Sequence, residues 1–240
     1  MLIDELLTYL FDGQPHLLAP PMGTWLDSSR RFTAFVTTFR DKIRKKLRTT
    51  QDHETLYDLR LELETAYLLL QERTLNLSYE PEQSKQVRSP DFAVTFTTSL
   101  TFMVEVTRLR ATPSSDNALT LPLEGERLAD AICSKLGQFL PKRSNVLIVG
   151  MDIPLITQSD LQAVMLRIQQ RAERNDSAFW QRYGFRDRAD FFHHYQRLSE
   201  VLVRGSKLQV KEPVVAAINP QAKYPLPGKV RTVLYRSLNI

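Results

Sequence analysis

Between Ser89 and Arg108 the chain reads Ser-Pro-Asp-Phe-Ala-Val, a Thr/Ser-rich connection, then Phe-Met-Val-Glu-Val-Thr-Arg. Phe92 to Thr97 and Thr101 to Arg108 are rich in β-branched and aromatic residues, and Thr97-Thr98-Ser99 is polar enough to turn between them, which predicts a hairpin. A hairpin symmetric about Thr98 sets Asp91 opposite Glu105, because both lie at the same distance from the turn. Side chains alternate along a strand, so Thr107 shares the face of Glu105 while Val104 and Val106 point the other way. Two carboxylates therefore converge on one patch of sheet among apolar neighbours. Carboxylates are costly to desolvate unless they are paired or hold a metal. Oxygen ligands placed in this way suit Mg²⁺ or Mn²⁺.

The rest of the composition bounds the setting. The chain has 240 residues, 42% hydrophobic and 25% charged, the balance of a globular protein with room for one large domain or a domain with a helical annex. Its sequence contains no apolar run near the roughly 18 residues needed to span a membrane, and Asp4 and Glu5 are unlike the basic start of a signal peptide. A single cysteine, Cys133, excludes an internal disulfide framework and points to a reducing, cytoplasmic setting. A net charge of +5 permits nucleic-acid binding without requiring it.

In chain order, Leu2 to Leu10 predicts a short amphipathic helix, and the Pro-rich Gln14 to Gly23 a loop. From Asp27, with Ser28 and Ser29 as alternative caps, apolar residues at Phe32, Phe35, Val36, Phe39, Ile43 and Leu47 predict a long helix. Its other face carries Arg30, Arg31, Arg40, Lys42, Arg44, Lys45, Lys46 and Arg48, either a solvated face or a surface that tracks phosphates. A second helix spans about Asp52 to Arg73 on a stripe of Leu56, Leu59, Leu63, Ala66 and Leu70. At about 100° per residue, Glu62 falls roughly 70° from the centre of that stripe and Glu64 roughly 130° away. Glu62 is thus expected at the edge of the buried face, where its ordinary role is a rim salt bridge with Arg60 or Arg73, and Glu64 in solvent.

Thr74 to Tyr79 predicts a strand before the hairpin, with Glu80 to Ser89 as a polar connection, and Ala111 to Leu121 reads as a loop. Glu124 to Leu140 predicts a helix, stopped by Pro141, and Asn145 to Met151 a fully covered central strand. Beyond Asp152, Ser159 is expected to cap a helix to about Arg174. Phe179 to Arg204 is expected to be helical and aromatic-rich, Pro213 to Asn219 a short strand of the same sheet, and Lys229 to Leu238 a last short element. Residues 1–50 then form an N-terminal helical extension, 51–151 the core, and 152–240 a mainly helical elaboration packed on it, within one α/β (α+β) domain. The aromatic segment fits either a helical core or a base-stacking surface.

Pro90-Asp91-Phe92 followed by Val104-Glu105-Val106-Thr107 resembles the paired acidic motifs of the PD-(D/E)XK nuclease superfamily, over roughly Leu56 to Met151. The resemblance implies a restriction-endonuclease-like αβββαβ core with a mixed sheet, an order the predicted elements reproduce. It implies a metal-dependent nuclease acting on nucleic acid, DNA favoured, with homodimerisation common in that superfamily. Asp91, Glu105, the Val106 carbonyl and Glu62 would hold Mg²⁺ or Mn²⁺. The sequence departs from the pattern at Thr107, which stands where the motif has a lysine and is neutral and short. Lys135, with Gln138 beyond it, is the expected substitute from the following helix, and the alternative is an ordinary surface lysine. Arg40, Arg44, Lys45, Lys46, Arg48 and Arg108 are the expected nucleic-acid contacts. The competing reading is a catalytically silent nuclease-fold protein that binds nucleic acid or another protein.

Other chemistries find little support. His193 and His194 are adjacent, so on a helix they face about 100° apart and do not chelate one ion together. With one cysteine a structural zinc site is not expected. The eight glycines form neither a Walker loop nor a dinucleotide fingerprint. Cys133, expected mid-helix, has no nucleophile arrangement around it.

Overall fold

The computed structural model describes residues 2–50, 52–81, 89–110, 121–151, 156–174, 176–205 and 214–238, with backbone alone for 121–124. The expected connections over Glu80 to Ser89 and Ala111 to Leu121 lie largely outside these residues. Among the described residues, one sheet of six strands carries nine α-helices. The strands are β1 (Leu75–Tyr79), β2 (Phe92–Phe96), β3 (Leu100–Leu109), β4 (Asn145–Met151), β5 (Leu198–Gly205) and β6 (Val215–Ile218), in spatial order β1-β2-β3-β4-β5-β6. β1 to β3 form an antiparallel meander, β3, β4 and β5 run parallel, and β6 returns antiparallel.

The helices divide between the two faces. Val104, Val106, Val146, Ile148 and Leu202 face a core built with α1 (Ile3–Phe11), α2 (Ala19–Ser28), α3 (Arg30–Thr49), α4 (His53–Leu69) and α9 (Gly228–Ser237). Leu147, Val149, Val201 and Val203 face a second core with α5 (Leu121–Lys135), α6 (Gln158–Glu173), α7 (Ser177–Arg182) and α8 (Arg188–Tyr195). This is the division that period-2 alternation in a doubly covered sheet requires. Gly150 allows the closest approach: a Cβ there would lie 2.4 Å from Leu61 Cδ2 of α4.

Local signals account for many boundaries. The Ser29 hydroxyl caps α3 by accepting from the Phe32 N–H at 3.2 Å, and Asp52 caps α4 by accepting from the Thr55 N–H at 2.9 Å. At α6 the cap is Thr157 and not Ser159, with Asp160 reaching back to the Thr157 N–H.

Four expectations are corrected. Part of the Pro-rich segment expected to be a loop is α2, whose Pro20 and Pro21 lie in the first turn, where no N–H is needed. The α-helix expected to reach Leu140 stops at Lys135 and tightens into a 3-10 turn over Leu136–Gln138. The segment expected to be helical through Arg204 yields α7 and α8 and then β5, buried at every residue. Residues 152–240 therefore give two of the six strands and are less helical than expected. Finally, Glu64 is fully buried. The sheet, α3 and α9 all pack on α4, so its far side is also covered, and Glu64 pairs with Arg204 of β5. The aromatic rings of α7, α8 and the turn between them form core: Phe179, Trp180, Phe185, Phe191 and Tyr195 are buried.

Candidate active site

β2 begins one residue after Asp91, while β3 runs on past it to Leu109. Proline has no N–H to offer a ladder, and Pro90 sits where pairing would otherwise continue. Pro90 comes opposite Val106 when the register is continued and has no N–H to give the Val106 carbonyl, while the Val106 N–H donates to Asp91 Oδ2 at 2.7 Å. The register runs from Phe92 opposite Val104 to Phe96 opposite Leu100, and its continuation sets Asp91 against Glu105. In a strand the N–H and C=O of one residue point to the same side, so the Val106 carbonyl shares the notch at the end of β2.

Helices from both faces close on this notch. Lys135, the last residue of α5, extends its Nζ to Glu105 Oε1 at 2.7 Å. Glu105 is 3% exposed. From the opposite face α4 supplies Glu62, whose Oε1 accepts from Lys46 Nζ of α3 at 2.7 Å. The same ammonium reaches Glu80 Oε1 at 2.7 Å and lies 4.9 Å from the centre of the Tyr79 ring. Glu80 follows β1, and its N–H bonds the Asp91 carbonyl at 2.8 Å, which ties the end of β1 to the start of the hairpin.

The electrostatics follow from this crowding. Burial first, then the charges of Glu62 and Glu105, push the Asp91 carboxyl far above the usual range, against the opposing Val106 N–H and Lys46. Burial raises Glu62 as well, partly offset by Lys46. Burial pulls the Lys46 ammonium down, but Glu62 and Glu80 more than offset it, and its pKa lies above the ordinary lysine value.

The remaining expected residues are spread out. Thr107 lies two residues beyond Glu105 on its face, half-buried. Gln138 lies in the 3-10 turn with its Oε1 buried and without a hydrogen-bond partner. Arg108 points to the other face, where Asp58 and Glu54 of α4 hold its guanidinium and leave its side chain 2% exposed. Arg44 and Arg48 both pair with Asp12, Arg40 lies against Asp41 and the Tyr9 ring, and Lys45 is exposed. Lys46 belongs to the carboxylate cluster. Glu62 pairs with this lysine, not with Arg60 or Arg73.

Two members of the cluster escaped the sequence reading. Lys46 was grouped with the basic face, although it follows Ile43 by three and Lys42 by four and so borders the buried stripe of Ile43 and Leu47. Glu80 carried no signal, because the turn that brings it to Asp91 is a tertiary pairing.

The donor set bears on a metal ion as follows. Among the described residues no three His, Cys, Asp or Glu side chains are grouped closely enough to hold one. Lys135 and the Val106 N–H engage one oxygen each of Glu105 and Asp91. Carboxylate and carbonyl oxygens are the hard donors that Mg²⁺ takes, with water completing its shell.

No family model, no curated protein and no solved structure matches the chain. Among the described residues no helix is long and apolar enough to cross a membrane.

Proposed function

We propose that the chain is a metal-dependent nuclease with a restriction-endonuclease-like core, hydrolysing phosphodiester bonds of nucleic acid, DNA favoured. The observation that carries this reading is the Lys135–Glu105 contact at 2.7 Å, at the carboxylate that faces Asp91. It supplies, from α5, an ammonium where the motif position holds only Thr107. The element order α4-β1-β2-β3-α5-β4 also supports it.

In this reading Asp91, Glu105 and the Val106 carbonyl hold Mg²⁺ or Mn²⁺. Such an ion, when bound, stabilises charge on a phosphate and lowers the pKa of water. The chain's own groups do the rest. The Val106 N–H orients Asp91. Lys135 directs a positive charge at the scissile phosphate and orients the attacking water through its three donors. Glu62 adds negative charge on the α4 side. The exposed Lys45 and Arg40 of α3 contribute non-specific phosphate attraction.

Among the described residues no ready group of three acids is present, which favours a second reading, a catalytically silent nucleic-acid-binding or protein-interaction module. Calorimetry with Mn²⁺ on the wild type, Asp91→Asn and Glu105→Gln separates the two. The nuclease reading expects binding in the wild type and its loss in both variants, followed by cleavage of DNA or RNA that Lys135→Ala lowers by roughly 10²-fold or more. A folded wild type that binds no Mn²⁺ at millimolar concentration leaves the silent module.

A further inference from the structure

Glu62 is linked to Asp91 through Lys46 and Glu80, whose N–H donates to the Asp91 carbonyl at 2.8 Å, yet it is committed elsewhere. Its Oε1 is held by Lys46 Nζ at 2.7 Å, and the same ammonium is shared with Glu80 at 2.7 Å. The lysine is not loosely placed. One turn earlier on α3, Lys42 Nζ donates to the carbonyls of Tyr79 at 3.2 Å and Glu80 at 2.9 Å, which fixes the helix over the end of β1. The Tyr79 ring backs the Lys46 ammonium at 4.9 Å. An anchored helix therefore delivers a cation to the one carboxylate that would turn the Asp91–Glu105 pair into a three-acid site.

We propose that Lys46 is a positioning residue that withholds Glu62 from the metal, so that the resting site binds its ion through Asp91, Glu105 and the Val106 carbonyl without Glu62. The inference rests on the metal site proposed above. Its chemistry is charge compensation: an ammonium and a divalent cation compete for the same carboxylate, and removing the ammonium leaves Glu62, Glu80 and Asp91 short of positive charge. A lysine that only braces α3 against α4 would lower stability on removal and leave metal affinity unchanged or weaker.

The test is Mn²⁺ calorimetry, with thermal melting in the same buffers, on the wild type, Lys46→Met, Glu62→Gln and the double variant. Lys46→Met is expected to bind Mn²⁺ about tenfold more tightly than the wild type, a coupling of ordinary size, and to gain more melting temperature on adding Mn²⁺. Glu62→Gln alone leaves the Lys46 ammonium without this partner and is expected to bind Mn²⁺ more weakly than the wild type. The double variant is expected to return to wild-type affinity. Equal or weaker binding by Lys46→Met, or a double variant that binds as tightly as Lys46→Met, overturns the role of Lys46 while leaving the Asp91–Glu105 site standing. No Mn²⁺ binding in any of the four proteins overturns both readings. If Lys46→Met does not fold, Lys46→Gln takes its place, alone and combined with Glu62→Gln.

Discussion

Asp91 stands where β2 has not yet begun, and its side chain takes over a hydrogen bond that a backbone carbonyl would otherwise make to the Val106 N–H. That bond does not compensate its burial beside Glu62 and Glu105, and the carboxyl lies far above its ordinary value of 3.8. A folded pKa above the unfolded one means the folded state binds the extra proton. The stability this contributes is therefore present below the unfolded value and lost as pH rises through the folded value. Asp91→Asn is accordingly expected to melt higher than the wild type at pH 7, by about 2–4 °C for a gain of roughly 1 kcal/mol in a chain of this size. The gain should shrink as pH falls and vanish only below the unfolded value of 3.8, where the carboxyl is protonated in both states. Thermal melting of both proteins across that range, without divalent metal, checks it. A residue that weakens the fold while serving a site is a common trade-off.

At the scale of elements, the approach of α4 to β4 decides where Glu62 sits. Gly150 has no Cβ, and Leu61 occupies the space a Cβ would take, with Cδ2 at 2.4 Å and Cδ1 at 2.9 Å from its position. Leu61 is 1% exposed and so has little room to turn away. Gly150→Ala is expected to cost about 1–3 kcal/mol, the usual range for overpacking a core, measured by urea unfolding. Glu62 adjoins Leu61, so the same change displaces a site carboxylate. Adding Leu61→Ala should recover part of the loss, since it opens the space the new methyl needs. A double variant no more stable than Gly150→Ala would show that the close approach is not the limiting contact.

For the whole molecule, β5 brings charge into the centre of the sheet. Glu200 is fully buried and is met by Arg231 and by Tyr235 at 3.1 Å, both from α9. Arg204 meets Glu64 of α4. The Arg204–Glu64 pair joins β5 to α4 across 140 residues of sequence, and the Glu200 contacts tie β5 to α9. Burial raises the Glu64 carboxyl above its ordinary 4.5 and Arg204 opposes the rise. Arg204→Met removes that opposition and leaves a buried charge unpaired, with an expected loss of about 3–5 kcal/mol near neutral pH. The loss should shrink toward pH 4, because a raised folded pKa favours the protonated acid there. Glu64→Leu with Arg204→Met is expected to restore most of the stability, since apolar replacement of a buried pair is often neutral or better. Denaturant unfolding at pH 4.5 and 7.5 measures both effects.

What the linear chain already settles is local. The hairpin register depends on a short turn and on alternation, so the meeting of Asp91 with Glu105 could be read from the spacing around Thr98. The Asn145–Met151 run is apolar throughout because both its faces are covered, and its extent was readable for the same reason. Glu62 at the edge of the α4 stripe also followed from helical period. Glu64 did not, because a single stripe assumes a single buried face, and α4 is covered on more than one side. β5 was misread as helix because Glu200 and Arg204 interrupt its apolar run, and the partners that make them tolerable lie on α9 and α4. The positions of Lys46 and Lys135 in the carboxylate cluster, and of Arg108 away from it, depend on which helix packs on which face of the sheet. A charge on an amphipathic helix is equally compatible with solvent or a buried acid until a second element is placed against it. Only the packing of α3, α4 and α5 around the end of β2 makes that choice.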